Sequence, residues 1–256
     1  MDLDRPALTQ EITHLARLAG DKILTIYNQD FDVKTKSDAS PVTEADVAAE
    51  KIILDGLRAL TPDIPILAEE SAAAGDIPDL SGGVFWLVDP LDGTKEFVHK
   101  RGEFTVNIAL VEHGKPTMGV IHIPAKNTSY FAEGPGKVWR QDGSGPAKEI
   151  STRRAPEVGL TVVASRSHRT PETDAYIEKF EVAELISAGS SLKLCLVAEG
   201  AADLYPRFGR TMEWDIGAGQ AILEAAGGRV ETVDGAPLLY GKDGHDNPYI
   251  IAKGRS

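Results

Sequence analysis

Two carboxylates three residues apart, Asp89 and Asp92, close the apolar run at 84–88 and are followed at once by Gly93-Thr94. The run reads as a buried strand, and carboxylates at its end are costly to desolvate unless a cation sits between them. Pro90 and Gly93 favour a tight turn that brings Asp92 back towards Asp89. The Gly-Thr pair offers free backbone N–H groups, which suit a phosphate. A hard cation beside a phosphate is the setting of phosphoryl chemistry. Magnesium takes oxygen ligands, few from protein and the rest from water or substrate phosphate. In a two-metal site the ions lie roughly 3.5–4 Å apart and clamp the attacking and leaving oxygens; Asp89 could bridge two such ions. Three further acids belong with this pair. Glu69 ends a second short apolar run, Asp46 opens a helical pattern, and Asp215 directly precedes another, where the helix dipole favours a carboxylate.

Each of these residues alone has an ordinary explanation. Asp-Gly after Pro is a common turn, Asp215 fits a helix N-cap, and Asp46 fits the acid of a capping box at Thr43-Glu44-Ala45-Asp46. Glu69-Glu70 fits a solvated pair. Their conjunction is less ordinary: a strand ending in Asp-x-x-Asp-Gly-Thr, a second strand ending in Glu-Glu, and Trp214-Asp215 opening a helix. Rival chemistries find little support. The six His form no i,i+4 pair and no His-Glu-x-x-His. There is no Gly-x-x-x-x-Gly-Lys-[Ser/Thr], and Gly217-x-Gly219 falls inside a helical pattern with no long strand before it.

The elements that must hold these acids can be read from periodicity and breakers. Leu8, Ile12, Leu15, Ala16, Ala19, Ile23, Ile26 and Tyr27 recur at helical spacing, which predicts an amphipathic helix over 8–27. The segment 33–40 is polar, and a second helix over 43–60 is stopped by Thr61-Pro62. A short strand at 66–68 leads into Glu69-Glu70, then a loop over 72–83 and the strand at 84–88. Strands at 104–112 and 117–122 are joined by the hairpin signal His113-Gly114-Lys115-Pro116. Strands at 128–132 and 137–140 follow. Gly and Pro concentrate over 134–160, which reads as the boundary between lobes. Beyond it, strands at 160–164, 183–187 and 202–206 alternate with helices at 171–180, 192–199 and 216–226, the last stopped by Gly227-Gly228. Helices layered on two sheets follow from this order.

The length of 256 residues allows one large domain or two compact lobes. A net charge of −12 with no basic run argues against nucleic-acid binding and fits a protein that neutralises its own field with divalent cations. Cys195 is the single cysteine, so neither an intrachain disulfide nor a Cys-based zinc cluster can form; its apolar helical surroundings read as a buried structural thiol. No stretch reaches transmembrane length, and the N-terminus has no basic region followed by an apolar one. The expected setting is soluble and cytoplasmic, with peripheral association at the inner membrane left open.

Asp89-Pro90-Leu91-Asp92-Gly93-Thr94 together with Glu213-Trp214-Asp215-Ile216-Gly217-Ala218-Gly219 resembles the paired signature of the inositol monophosphatase superfamily, and the resemblance covers nearly the whole chain. It implies a mixed α/β (α+β) fold, a layered αβαβα sandwich of the inositol monophosphatase and sugar phosphatase type in two lobes. Residues 1–140 would carry most metal ligands; 141–256 would carry Asp215 and the nucleotide-binding residues. It also implies a lithium-sensitive phosphomonoesterase using two or three Mg²⁺ ions. Glu69, Asp89, the Leu91 carbonyl, Asp92 and Asp215 would hold the metals, and Thr94 paired with Asp46 would orient and activate the attacking water. Displacement would be in line, with no covalent intermediate. Gly93-Thr94-Lys95-Glu96-Phe97, the 102–110 stretch, Ser165-Arg166-Ser167-His168, Gly189-Ser190-Ser191-Leu192-Lys193 and Leu204-Tyr205-Pro206-Arg207 resemble the bacterial CysQ-type 3′(2′),5′-bisphosphate nucleotidase branch. That branch removes the 3′-phosphate of adenosine 3′,5′-bisphosphate, a by-product of sulfate activation, and some members act on 3′-phosphoadenylyl sulfate.

The resemblance implies that the substrate, a small nucleotide bisphosphate, also touches Glu69, Leu91, Asp92, Gly93, Thr94 and Asp215. Its base and second phosphate would lie against Ser165, His168, Gly189, Ser190, Lys193, Tyr205 and Arg207. Lys193 offers a point charge and Arg207 a bidentate fork, yet Lys193 equally fits a surface lysine and Arg207 a loop charge. Lys95 faces either phosphate or solvent. Two readings compete: inositol monophosphatase or fructose-1,6-bisphosphatase activity on the same fold, and a catalytically silent nucleotide-binding sensor. Monomer and homodimer both remain open.

Overall fold

The computed structural model describes residues 3–29, 34–35, 41–42 and 44–255. Helix α1 (Arg5–Tyr27) starts at Asp4, whose carboxylate accepts from the Ala7 N–H at 3.2 Å, and buries Ile12, Ala16, Ala19 and Ile23 along one stripe. Two short strands, β1 (Lys34–Thr35) and β2 (Pro41–Val42), pair antiparallel. Helix α2 (Glu44–Leu60) buries Ala45, Ala49, Ile53 and Leu57 at four-residue spacing. The expected capping residue Thr43 lies outside the described residues, as does the polar segment 33–40 apart from β1.

A seven-stranded sheet takes up most of the next hundred residues. In chain order it holds β3 (Ile66–Ala68), β4 (Val84–Asp92), β5 (Thr105–Glu112), β6 (Lys115–Ile123), β7 (Thr128–Gly134), β8 (Lys137–Asp142) and β9 (Lys148–Glu149), with spatial order equal to chain order. Only β3 and β4 run parallel. Two short helices interrupt it, α3 (Glu69–Ala73) and α4 (Thr94–Val98). The second sheet has the order β11-β10-β12-β14-β13, from β10 (Leu160–Ser165), β11 (Val182–Ala188), β12 (Leu204–Arg207), β13 (Arg229–Thr232) and β14 (Ile250–Lys253). Its helices are α5 (Pro171–Ile177), α6 (Leu192–Ala198) and α7 (Glu213–Ala225).

The layers follow from which side of each strand is apolar. Trp86, Val88, Ile108 and Val120 pack against α1 and α2. Their chain neighbours Leu87, Ala109 and Ile121 pack on the other face against Leu194, Ile216 and Ile222 of α6 and α7. Both faces of the central strands are therefore buried, which is why they read as continuous apolar runs. The second sheet lies on the far side of α6 and α7 through Val163 and Ala252, and Ile177 of α5 covers its outer face over Val162, Leu204 and Ile251. The result is the expected αβαβα sandwich. Helix α7 lies so close to β6 that a Cβ on Gly119 would stand 2.7 Å from the Ala218 carbonyl.

Several boundaries differ from the sequence expectations for local reasons. The β5–β6 turn is His113-Gly114 alone, both at positive φ (52° and 78°); Pro116 lies inside β6, beside a register shift at Leu110/Val111 that relieves the missing N–H. The stretch 134–160 still holds β8 and β9 of the first sheet, and the change of sheet falls between Glu149 and Leu160. Part of the expected 72–83 loop is taken by the end of α3.

Candidate active site

Strand β4 does not stop at Val88. It continues through Asp89 to Asp92, and its ladder with β5 jumps from Asp89↔Asn107 to Asp92↔Thr105. Three steps on β4 are thus matched by two on β5, a bulge of one residue. In a regular strand residues three apart point to opposite faces; the extra residue turns Asp92 to the side that Asp89 occupies. Pro90, with no N–H to pair, sits in the broken stretch. The Leu91 N–H donates to Asp89 Oδ1 at 3.0 Å. Gly93 then adopts φ +93°, and a Cβ there would press on the Glu103 carbonyl and Ser190 Cβ at 3.2 Å. This turn starts α4, so Thr94 and Lys95 follow Asp92 directly along the cleft wall.

Glu69 stands beside Asp89 because β3 pairs in parallel with β4 at Ala68↔Val88. Its helix α3 is held from behind by Glu50 of α2, a buried carboxylate that accepts the Glu70 and Ser71 N–H groups at 2.8 and 2.9 Å and the Ser71 hydroxyl at 2.6 Å. Desolvation raises the Glu50 pKa despite these bonds. Asp215 is not ahead of its helix but in the first turn of α7: its carboxylate reaches back to accept the Met212 N–H at 2.8 Å, so helical hydrogen bonding begins at Glu213, three residues earlier than expected.

Glu69, Asp89, Leu91, Asp92 and Asp215 face one cleft of about 230 Å³ together with Gly93, Thr94 and Lys95. Asp46 is not on its wall. It is buried in the first turn of α2, near enough for its charge to be felt at Asp89. The carboxylates repel one another in a dry setting. Burial first, then Glu69, Asp92, Asp215 and Asp46, push the Asp89 pKa well above the usual carboxylate range. Burial followed by Asp92 and Glu69 does the same to Asp215. Burial also raises Asp92, against the pull of Lys193 and the Ser191 N–H. Such a set is short of positive charge and carries hard oxygen donors only, which fits Mg²⁺. Among the described residues no three acidic, His or Cys side chains are already drawn around one point.

The cleft is also lined by cations. Lys193 is buried at 4 % exposure, not a surface lysine. Its ammonium donates to the Ser190 carbonyl and lies 5.4 Å from the Tyr205 ring centre. Burial lowers its pKa to about 8 even though Asp92 pulls the other way. Arg207, also buried, donates to the His168 and Arg210 carbonyls at 3.2 and 3.1 Å, and its Nε has no partner among the described residues. Ser165, Gly189, Ser190 and Tyr205 line the same cleft. At the exposed rim Lys95 Nζ meets His168 Nε2 at 3.0 Å; desolvation and then Lys95 hold the His168 pKa below its ordinary value, so the imidazole is the acceptor.

Sequence reading missed the residues that brace these walls. Glu96, buried in α4, accepts the Ser167 hydroxyl at 2.6 Å. Glu103 accepts the Gly189 N–H at 3.0 Å and pairs with Arg166. The Ser191 N–H donates to Asp92 at 2.5 Å, while its hydroxyl sits between Thr105 Oγ1 at 2.7 Å and Asn107 Oδ1 at 2.8 Å. The signal for Asn107 was present: a single amide inside the otherwise apolar run from Val106 to Val111.

Residues 4–253 match the inositol monophosphatase family. The 3′(2′),5′-bisphosphate nucleotidase CysQ of Escherichia coli O6:H1 is 49% identical over 236 residues, covering 91% of this chain and 94% of that protein. The protein of that name in Buchnera aphidicola subsp. Acyrthosiphon pisum is 45% identical, covering 91% and 87%. The crystal structure of CysQ from Bacteroides thetaiotaomicron, a bacterial member of the inositol monophosphatase family, superposes with a TM-score of 0.83 at 40% identity over 98% of each chain.

Proposed function

Because this chain belongs to the inositol monophosphatase family, we propose that it is a Mg²⁺-dependent 3′(2′),5′-bisphosphate nucleotidase. It hydrolyses the 3′-phosphate of adenosine 3′,5′-bisphosphate to AMP and inorganic phosphate, and 3′-phosphoadenylyl sulfate is a second substrate of the same chemistry. One observation carries the choice: a cleft lined both by converging carboxylates and by two buried cations, Lys193 and Arg207. A substrate with a single phosphate and an uncharged remainder would leave part of this positive charge unmatched.

Glu69, Asp89, the Leu91 carbonyl, Asp92 and Asp215 would hold the ions. Bound there, magnesium would offset the charge of the scissile phosphate and lower the pKa of water towards neutrality. Thr94, at the start of α4, orients the attacking water, its hydroxyl taking the water's proton as its own proton passes to the Asp46 carboxylate. Attack in line forms the new P–O bond as the P–O3′ bond breaks; the bonding pair leaves with O3′, which takes up a proton. Gly93 and Thr94 receive the scissile phosphate. Lys193 and Arg207 bind the 5′-phosphate, and Ser165, His168, Gly189, Ser190 and Tyr205 bound the nucleoside. Lys95 completes the rim beside His168. The lobes are taken as 1–140, with most metal ligands, and 141–256, with Asp215 and the nucleotide-binding residues; the first sheet itself runs on through β8 and β9 to Glu149.

Among the described residues no helix is long and apolar enough to cross a membrane, and the free, buried Cys195 suits a reducing compartment such as the cytoplasm. The test is a competition assay with Mg²⁺ and three substrates: adenosine 3′,5′-bisphosphate, inositol monophosphate and fructose 1,6-bisphosphate. Preferential release of phosphate from the nucleotide is the expected result. Preference for inositol monophosphate overturns the assignment, and tight nucleotide binding without phosphate release turns it into a sensor.

A further inference from the structure

Glu213, the first residue of α7, has no exposed surface and sits among converging donors. Its carboxylate accepts the Gly241 and Lys242 N–H groups, both at 2.9 Å, and the Lys242 ammonium at 2.6 Å. That ammonium also donates to the Leu239 carbonyl at 2.7 Å and to Asn247 Oδ1 at 3.1 Å. An ammonium has three N–H donors and no acceptor, so Lys242 is fully used and Asn247 must turn its oxygen towards it. The amide N–H₂ of the buried Asn247 then faces the other way and donates to the Met212 carbonyl at 2.6 Å.

The 239–247 segment, between β13 and β14, closes on the start of α7 as an isolated antiparallel bridge, Met212↔Asp246. The Asn247 main-chain N–H donates to the Thr211 carbonyl at 2.8 Å, and the Glu213 N–H to the His245 carbonyl at 2.9 Å. A peptide group is planar. The Thr211 carbonyl and the Met212 N–H share one plane; the Met212 carbonyl and the Glu213 N–H share the next. Asn247 therefore grips both planes flanking Met212, one with its main chain and one with its amide. The Met212 N–H aimed in this way is the donor that holds Asp215 Oδ2 at 2.8 Å. Asp215 lines the cleft, and a carboxylate with one oxygen tied no longer turns freely about its last bond.

We propose that Asn247, oriented by the buried Glu213–Lys242 pair, is a positioning residue for the cation cleft: it fixes the Met212 backbone and, through it, the direction of the Asp215 carboxylate. This rests on the reading that Asp215 holds a cation. Asn247 is not among the residues lining the cleft; it acts through Met212 and Asp215. Partners of this kind behind a metal ligand tune affinity by roughly 10–100-fold.

The experiment titrates metal-free protein with Mn²⁺ by calorimetry, with no substrate present, and follows the melting temperature in chelator in parallel. Asn247→Asp is nearly isosteric. It keeps an oxygen for Lys242 but sets a carboxylate, an acceptor only, against the Met212 carbonyl, where it makes no bond. Its added negative charge would by itself attract a divalent cation, so orientation and charge predict opposite signs. The expected result is metal binding weakened about tenfold, with the half-saturating metal concentration for turnover rising in step and the nucleotide KM at saturating metal unchanged. Asn247→Ala removes the amide without adding charge, should weaken binding likewise, and decides the matter if the aspartate variant does not fold. A lowered melting temperature with unchanged metal affinity makes Asn247 merely structural and overturns the proposal; so does tighter binding in the aspartate variant. Wild-type protein that binds no divalent cation sinks the reading of the cleft itself, a result distinct from variants that bind as well as wild type.

Discussion

At the scale of single residues the cleft is a balance between acids that repel and cations that relieve them. Asp89 carries the greatest strain of this kind, being 1 % exposed and within the field of four other carboxylates. Asp89→Asn removes a charge but keeps the shape and the acceptor for Leu91. Turnover should fall at least about a hundredfold, while in chelator the variant should melt at or above the wild-type temperature; parallel activity and thermal-melt measurements check both, and gross unfolding would contradict the account. In the same cleft, Lys193→Met keeps the aliphatic packing and removes one charge. A charge-assisted hydrogen bond contributes about 1.5–3 kcal/mol, so KM for adenosine 3′,5′-bisphosphate should rise about tenfold or more. KM for 3′-AMP, which lacks the second phosphate, should move by no more than about twofold. Equal rises for both substrates would remove Lys193 from the 5′-phosphate site.

At the scale of elements, the helices and strands that carry the site were largely legible, because amphipathic stripes and double-faced apolar runs are strong periodic signals. The αβαβα layering and the gathering of Glu69, Asp89, Asp92 and Asp215 at one cleft agree with the reading of the sequence. What escaped it depends on contacts between distant segments. The continuation of β4 through Pro90 requires knowing that β5 offers two residues against three. The start of α7 at Glu213 depends on Asp215 turning back to Met212. Glu96, Glu103 and Ser191 look like ordinary polar residues until Gly189 and Asp92 are brought against them. Close packing between elements is just as silent in sequence. Gly119 lets α7 approach β6, so Gly119→Ala should cost about 1–3 kcal/mol in urea unfolding. Because α7 carries Asp215, the same change should also weaken Mg²⁺ binding; a stability loss with intact metal affinity would show that the helix end is decoupled from its packing.

At the scale of the whole molecule, cation binding and folding are linked through the crowded acids. Saturating Mg²⁺ at about 100 times its dissociation constant should stabilise the protein by roughly 2.7 kcal/mol, and EDTA should remove that gain; a melting temperature indifferent to both would argue against the cleft as a cation site. Acid acts elsewhere as well. His122, at 3 % exposure under α1, meets Ser129 at 2.9 Å, and burial together with Arg17 lowers its pKa to about 4. The unfolded chain takes up this proton near pH 6.5 and the folded one only near 4, so stability is full above pH 6.5 and declines through that window by roughly 3 kcal/mol. His122→Gln should flatten the decline in pH-dependent urea melts. The position of α7 between both sheets has a consequence for how the molecule comes into being. Asp215 emerges from the ribosome long after Glu69, Asp89 and Asp92, on a helix that packs chiefly against the first sheet. A nascent or prematurely released chain ending before that helix can assemble much of the first sheet but not the complete cleft, so synthesis that aborts early yields an inert product and not an unregulated phosphatase.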